Sequence, residues 1–168
     1  MIYSFAPIID EQCKILILGS MPSVKSLAQG EYYGNRQNYF WPMMFELFGK
    51  PYSADYQKKQ ELLLTQHIAL WDVLRSCERE GSLDSQIKGE QPNDIEALLR
   101  DYPQIEAILL NGGKAAQSFK RYFPHIYEQR PCYQMPSTSP AHTMRRSEKL
   151  AKWRIIINLL HDESEEGE

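Results

Sequence analysis

Four short β-rich runs, each stopped by loop-forming residues and each separated from the next by a helix-like segment, constrain this chain more than anything else in it. They are KILIL (residues 14–18) before Gly19, HIAL (67–70) before Trp71 and Asp72, IEAILL (105–110) before Asn111, Gly112 and Gly113, and YQM (133–135) before Pro136 and Ser137. Strands alternating with helices fold as a largely parallel sheet covered on both faces, the α/β class. The helices are expected at residues 41–48, with Pro42 in the first turn and Gly49 as the stop, at 55–66, at 93–102 with Asn93 as N-cap, at 114–122, and at 146–161. In the last of these Leu150, Trp153, Ile157 and Leu160 recur at spacings of three and four, which puts Trp153 in the core.

In an open parallel sheet, ligands bind at the carboxyl ends of the strands. The loops there read GSMPS, WDVLRSCE, NGGK and PSTSPAHT, so residues more than a hundred positions apart are expected to meet in one crevice. Asp72, following its strand, has the ordinary reading of a cap for residues 73–75.

At 168 residues and 42% hydrophobic content, the chain has material for one substantial core, and residues 1–161 read as a single domain. The remainder, DESEEGE (162–168), holds five acids and no base and reads as a disordered tail. The net charge of −3 therefore hides a body of +2. Arg145, Arg146, Lys149, Lys152 and Arg154 cluster just before the tail, either as a footprint for phosphates or as the wet face of a helix. No apolar run approaches the roughly 20 residues that cross a bilayer, and no signal-type segment opens the chain, so a cytoplasmic protein is expected. Cys13, Cys77 and Cys132 are far apart and outside any CxxC spacing, which points away from disulfides and metal centres.

GSMPS after the first strand, YYGNRQNYFW, NGGKA after the third and PSTSPAH after the fourth together resemble the uracil-DNA glycosylase superfamily, most closely its hypoxanthine-DNA glycosylase branch, with the mismatch-specific uracil-DNA glycosylases as near relatives. The resemblance spans about residues 13–160 and rests on four motifs in order. It implies a three-layer fold, a four-stranded parallel sheet between helices, and an enzyme that flips a base out of DNA and hydrolyses its bond to the sugar without a cofactor or metal. It also implies a DNA partner and no membrane association; a monomer is expected.

Cleaving an N-glycosidic bond requires stabilising positive charge on the sugar, accepting negative charge on the departing base, and placing a water at the anomeric carbon. Relatives place an Asp or Asn for the water within the first motif, where this chain has Met21. The resemblance moves that role to Asn38, in NRQNYFW, whose amide oxygen can hold water; its ordinary reading is a helix cap. Tyr33 matches the aromatic that stacks on the flipped base, with Tyr32 as the lesser candidate, and backbone N–H groups at Ser20 and Met21, held by the turn from Gly19 to Pro22, are candidates to bind the base. Asn111 either reads a base edge or ties two loops together. Trp71 and Asp72 stand where uracil-specific relatives place a base-reading asparagine, a departure from the strict uracil pattern. PSTSPAHT resembles the second motif, in which Ser137, Thr138 and Ser139 would meet phosphates together with Arg145 and Arg146, and His142 replaces a frequent asparagine as donor to base or phosphate.

Two other readings stay open at this level. Ser20, Asn111 and His142 follow the order of a GDSL-type acyl hydrolase, although Ser139 stands where that family has an Asp. With Met21 in the first motif, a module that binds damaged DNA without cleaving it is also compatible.

Overall fold

The computed structural model describes residues 1–166, with side chains through residue 161. The elements in order are β1 (Ile2–Tyr3), β2 (Ile15–Gly19), α1 (Val24–Gln29), α2 (Phe40–Leu47), α3 (Tyr56–Thr65), β3 (Ile68–Asp72), β4 (Leu74–Glu78), a 3₁₀ turn (Asp84–Gln86), β5 (Lys88–Pro92), α4 (Ile95–Asp101), β6 (Ala107–Asn111), α5 (Gly113–Tyr122), α6 (Pro124–Gln129), β7 (Cys132–Met135), α7 (Arg146–Trp153) and α8 (Ile155–Glu166).

The central sheet has the order β3-β2-β6-β7, every pair parallel. Side chains alternate across a pleated strand, so each run feeds two cores. Ile15, Ile17, Leu70 and Leu109 face one side, among Phe40, Trp41, Met44, Leu63, Trp153 and Ile156. Leu16, Leu18, Ile108 and Leu110 face the other, among Ile95, Leu99, Ala116 and Phe119. The expected three-layer α/β architecture and its four strands are thus present, and Trp153 is fully buried.

The structure differs from expectation in four places. WDVLRSCE is not a loop: Trp71 and Asp72 finish β3, Val73 intervenes, and β4 starts at Leu74. Asp72 therefore caps nothing. β4 pairs antiparallel with β1 and β5 in a second, three-stranded sheet. Its strands give little sequence signal, β1 being two residues and β5 reading KGEQP. The N-cap of α4 is Asp94, which accepts from Ala97 N at 2.9 Å, while Asn93 is buried and its Nδ2 donates to the carbonyls of Asp72 (2.8 Å) and Leu74 (3.2 Å). The single helix expected over 146–161 is two, α7 and α8, meeting at Arg154. The acidic segment from Asp162 overlaps the end of α8; its side chains, and residues 167 and 168, lie outside those described. Among the described residues no helix is long and apolar enough to cross a membrane, and no group of three His, Cys, Asp or Glu side chains is placed to hold a metal ion.

Candidate active site

A cavity of about 480 Å³ opens at the carboxyl ends of the parallel strands. Gly19, Ser20 and Met21 reach it from β2, Asp72 from β3, Asn111 and Gly113 from β6, and the segment from Ser137 to His142 from β7; Tyr33, Asn35 and Asn38 come from the loop before α2. The convergence expected from the topology is realised.

The inner wall is made by Gly19, Asp72 and Tyr33. A Cβ at Gly19 would lie 2.6 Å from Asp72 Oδ1 and 2.8 Å from the Tyr33 hydroxyl, so glycine leaves the space over the strand end that both groups crowd. Asp72 is 3% exposed, and its Oδ2 is buried with no hydrogen-bond partner. Burial first, then the nearby Asp84 carboxylate, push its pKa up from 3.8 to about 7, with Arg79 partly opposing them. Tyr33 holds a left-handed backbone (φ 53°), rare for a bulky residue. One face of its ring stacks on Phe40 with centroids 4.2 Å apart, and its hydroxyl accepts from Asn111 Nδ2 at 3.0 Å. A base stacking on Tyr33 would use the other face. Tyr32 is turned inward, its hydroxyl donating to the Ala6 carbonyl at 2.8 Å.

Asn111 ties loops together. Its Nδ2 also donates to Thr138 Oγ1 (3.1 Å), and its Oδ1 accepts from Thr138 N (3.0 Å), so both amide hydrogens are engaged within the protein. Thr138, 1% exposed, is a latch rather than a phosphate contact. Gly112 (φ 97°) permits the same closure, since a Cβ there would lie 2.9 Å from Ser137 Cβ. Ser137 Oγ and Ser139 Oγ accept from Ser139 N (3.1 Å) and Ala141 N (3.2 Å), shaping the turn. The exposed His142 lines the cavity. Lys149 is 3% exposed; its ammonium donates to the carbonyls of Ser139 (3.1 Å) and His142 (2.9 Å). It is a pin for this loop, not part of a wet basic face. Trp153 Nε1 adds a bond to the Pro136 carbonyl at 2.9 Å.

Asn38 lines the cavity while its Oδ1 accepts from Phe40 N at 3.0 Å. The ordinary and the chemical readings coexist, because an amide oxygen has a second lone pair for water. Tyr39 N donates to the Thr138 carbonyl at 3.0 Å, which fixes this segment to the loop after β7. Arg146 supports the same junction: its guanidinium lies 4.8 Å from the Tyr39 ring centre and donates to the Gln37 carbonyl at 3.2 Å. Arg145 is exposed, 3.9 Å from Glu148. Neither arginine lines the cavity.

Two further placements depart from expectation. Trp71 does not line the cavity; its ring joins the core on the α4 side, and its Nε1 donates to the Phe5 carbonyl at 2.9 Å. Ser20 Oγ donates to Asp84 Oδ1 at 2.7 Å, so its hydroxyl is paired with a carboxylate rather than a histidine, which removes the acyl-hydrolase arrangement. Sequence reasoning put Asp72 at the mouth but gave it the ordinary role of a cap, and it missed the segment from Ser82 to Ser85, which forms part of the wall. That segment is tied down by Ser82 Oγ accepting from Val24 N at 2.9 Å and by Arg79 donating to the Pro22 carbonyl. An Asp directly after a strand-like run was the available signal for Asp72.

The model of the uracil DNA glycosylase superfamily matches residues 6–160. A protein of Methanosarcina acetivorans named hypoxanthine DNA glycosylase is 35% identical over 158 residues, 91% of this chain and 96% of that one. One of Methanosarcina barkeri with the same name is 39% identical over 114 residues, 67% of this chain and 72% of that one. A solution NMR structure from Methanosarcina acetivorans, solved as a candidate uracil DNA glycosylase, superposes with a TM-score of 0.81 at 34% identity, covering 95% of this chain and 98% of that one. With the parallel sheet, the four motif loops and the cavity they enclose, these matches place the chain: it belongs to the uracil DNA glycosylase superfamily.

Proposed function

We propose that the protein is a monofunctional DNA glycosylase of base-excision repair, which draws a deaminated base out of DNA and hydrolyses its bond to the sugar, hypoxanthine ahead of uracil or xanthine. The observation that carries this reading is the meeting of Tyr33, Asn38 and the loop from Ser137 to His142 around one cavity. The names of the two Methanosarcina relatives support the choice of base.

In this reading the base enters the cavity with one face on Tyr33, backed by Phe40, and Asn38 Oδ1 holds a water below the anomeric carbon. The C1′–N bond breaks with its electron pair leaving on the base. The water oxygen bonds to C1′ and its proton passes to solvent. Backbone N–H groups at Ser20 and Met21, with His142, are suited to the charge gathering on the base. Ser137, Ser139, Arg145 and Arg146 are the candidates for phosphate contacts, Ser137 and Ser139 on a loop whose position is set by Asn111, Thr138 and Lys149. No lysine lines the cavity among the described residues, which supports simple hydrolysis over a Schiff base. In this reading the protein acts on DNA as a monomer in the cytoplasm.

The test is incubation of purified protein with duplexes carrying hypoxanthine, uracil or xanthine, followed by alkali. Alkali-dependent strand breaks at the lesion, highest for hypoxanthine and undiminished by EDTA, are expected. Intact duplexes with all three bases would refute the reading; breaks without alkali would refute its hydrolytic mechanism.

A further inference from the structure

Asp72 is the cavity group for which the fold itself has no use. Among the described residues it caps no helix and forms no ion pair, and its Oδ2 is buried without a partner, although buried polar atoms are nearly always hydrogen-bonded. Its place is nevertheless tightly specified. Asn93 Nδ2 holds its carbonyl, Gly19 leaves the space for its carboxyl, and Val73 N, next along the chain, donates to the Gly19 carbonyl at 2.8 Å. A polar group fixed so firmly and left unsatisfied at the end of a cavity is poised for what enters that cavity.

We propose that Asp72 is the specificity-determining residue of this pocket, its carboxyl keeping a proton and pairing with the lactam edge of the extruded base. The inference rests on the glycosylase reading above. Hypoxanthine, uracil and xanthine all present a ring N–H beside a C=O, the pair that deamination creates. A flipped base is read along its Watson–Crick edge. A carboxylic acid offers an O–H to that carbonyl and a C=O to that N–H. A carboxylate offers only acceptors, so it would satisfy the N–H and repel the carbonyl. The burial and the Asp84 charge that bring the pKa of Asp72 to about 7 keep the proton available in neutral solution.

The charged and titratable groups around Asp72 are few. Asp84 on the 3₁₀ turn favours the protonated form and Arg79, after β4, opposes it. The Tyr33 hydroxyl adjoins it over Gly19, Tyr32 and Tyr56 are farther charge partners, and the pKa values of all three are raised by burial, so they stay neutral. His142 lines the same cavity.

The experiment is single-turnover excision of hypoxanthine from a duplex between pH 5.5 and 9, by the native protein, Asp72→Asn and Asp84→Asn, with lesion binding and thermal unfolding followed in parallel. The native rate should fall about tenfold per unit above an inflection near pH 7. Asp84→Asn should move the inflection to lower pH, because it removes a charge that holds the proton on. Asp72→Asn, whose amide supplies both a donor and an acceptor without titrating, should retain excision within about tenfold at pH 6 and lose the descending limb. A native rate that rises with pH would make Asp72 a base and overturn the proposal. So would a descending limb that survives Asp72→Asn, which would belong to another group, or an Asp72→Asn protein that is folded and binds the lesion but excises at no pH. In each of these cases the glycosylase reading stands. A native protein that excises none of the three bases removes both.

Discussion

Gly19 and Asp72 occupy adjacent strands in register, and the Asp72 carboxyl lies so close over Gly19 that a Cβ there would be 2.6 Å from Oδ1. The glycine is a space for a carboxyl before it is a turn. Gly19→Ala should displace Asp72 or Tyr33, cost about 1–3 kcal/mol by overpacking, and reduce excision more than the stability loss explains. Urea unfolding beside single-turnover excision checks this; native activity in the variant would show that the inner wall is not used.

Asp72 also shapes stability. Its folded pKa of about 7 stands above the unfolded 3.8, so between these values the folded protein keeps a proton that the unfolded chain has lost. The Asp72 contribution is therefore most favourable below about pH 4, declines as pH rises to about 7 and is flat beyond. Asp72→Asn does not titrate and should gain on the native protein across that window, the difference between the two shifting in its favour by roughly 3–5 kcal/mol from below pH 4 to pH 8. Denaturant melts at pH 5 and pH 8 measure it. A gap that does not widen with pH would place Asp72 in a wetter setting.

Lys149 distinguishes a loop pin from a phosphate contact. Lys149→Met keeps the aliphatic stem and strands two carbonyls, which should cost about 1.5–3 kcal/mol. DNA affinity should drop with the slope of log K against log salt unchanged, because no phosphate partner is lost. A slope reduced by about 0.9 would assign the ammonium to a phosphate instead.

Much of this was legible in the sequence, for physical reasons. Ile15, Ile17, Leu109 and their neighbours announce strands because a strand buried on both faces reads as an unbroken apolar run, and the parallel topology then fixes where the loops meet. Asn38, Tyr33 and Asn111 were singled out by motif, and all three line the cavity. What was not legible depends on pairing at a distance. β5, reading KGEQP, is a strand through its pairing with β4. Trp71 and Asp72 are adjacent, and in a strand adjacent side chains point to opposite faces, so only one could enter the cavity. The motif alone favours the aromatic; the pleat turns Asp72 in. Lys149 reads as a surface cation until the carbonyls of Ser139 and His142 are seen around it.

Ser20 separates hydrolysis of an N-glycosidic bond from acyl transfer. Its hydroxyl serves Asp84, and the base-binding role assigned to this position uses the backbone, so Ser20→Ala should retain excision within about tenfold, the loss reflecting one released hydrogen bond of about 1 kcal/mol. Excision abolished together with an esterase activity would return the serine-nucleophile reading.

The account as a whole depends on Asn38 placing a water beside a base already bound by other groups. The most direct measurement compares native protein and Asn38→Ala on a hypoxanthine duplex, with lesion affinity and single-turnover excision determined on the same preparations. The predicted result is affinity within a few-fold of native and a rate lower by about 10²–10⁴, with Asn38→Asp recovering part of it, since a carboxylate there can still hold the water. Excision by Asn38→Ala at the native rate would contradict the mechanism.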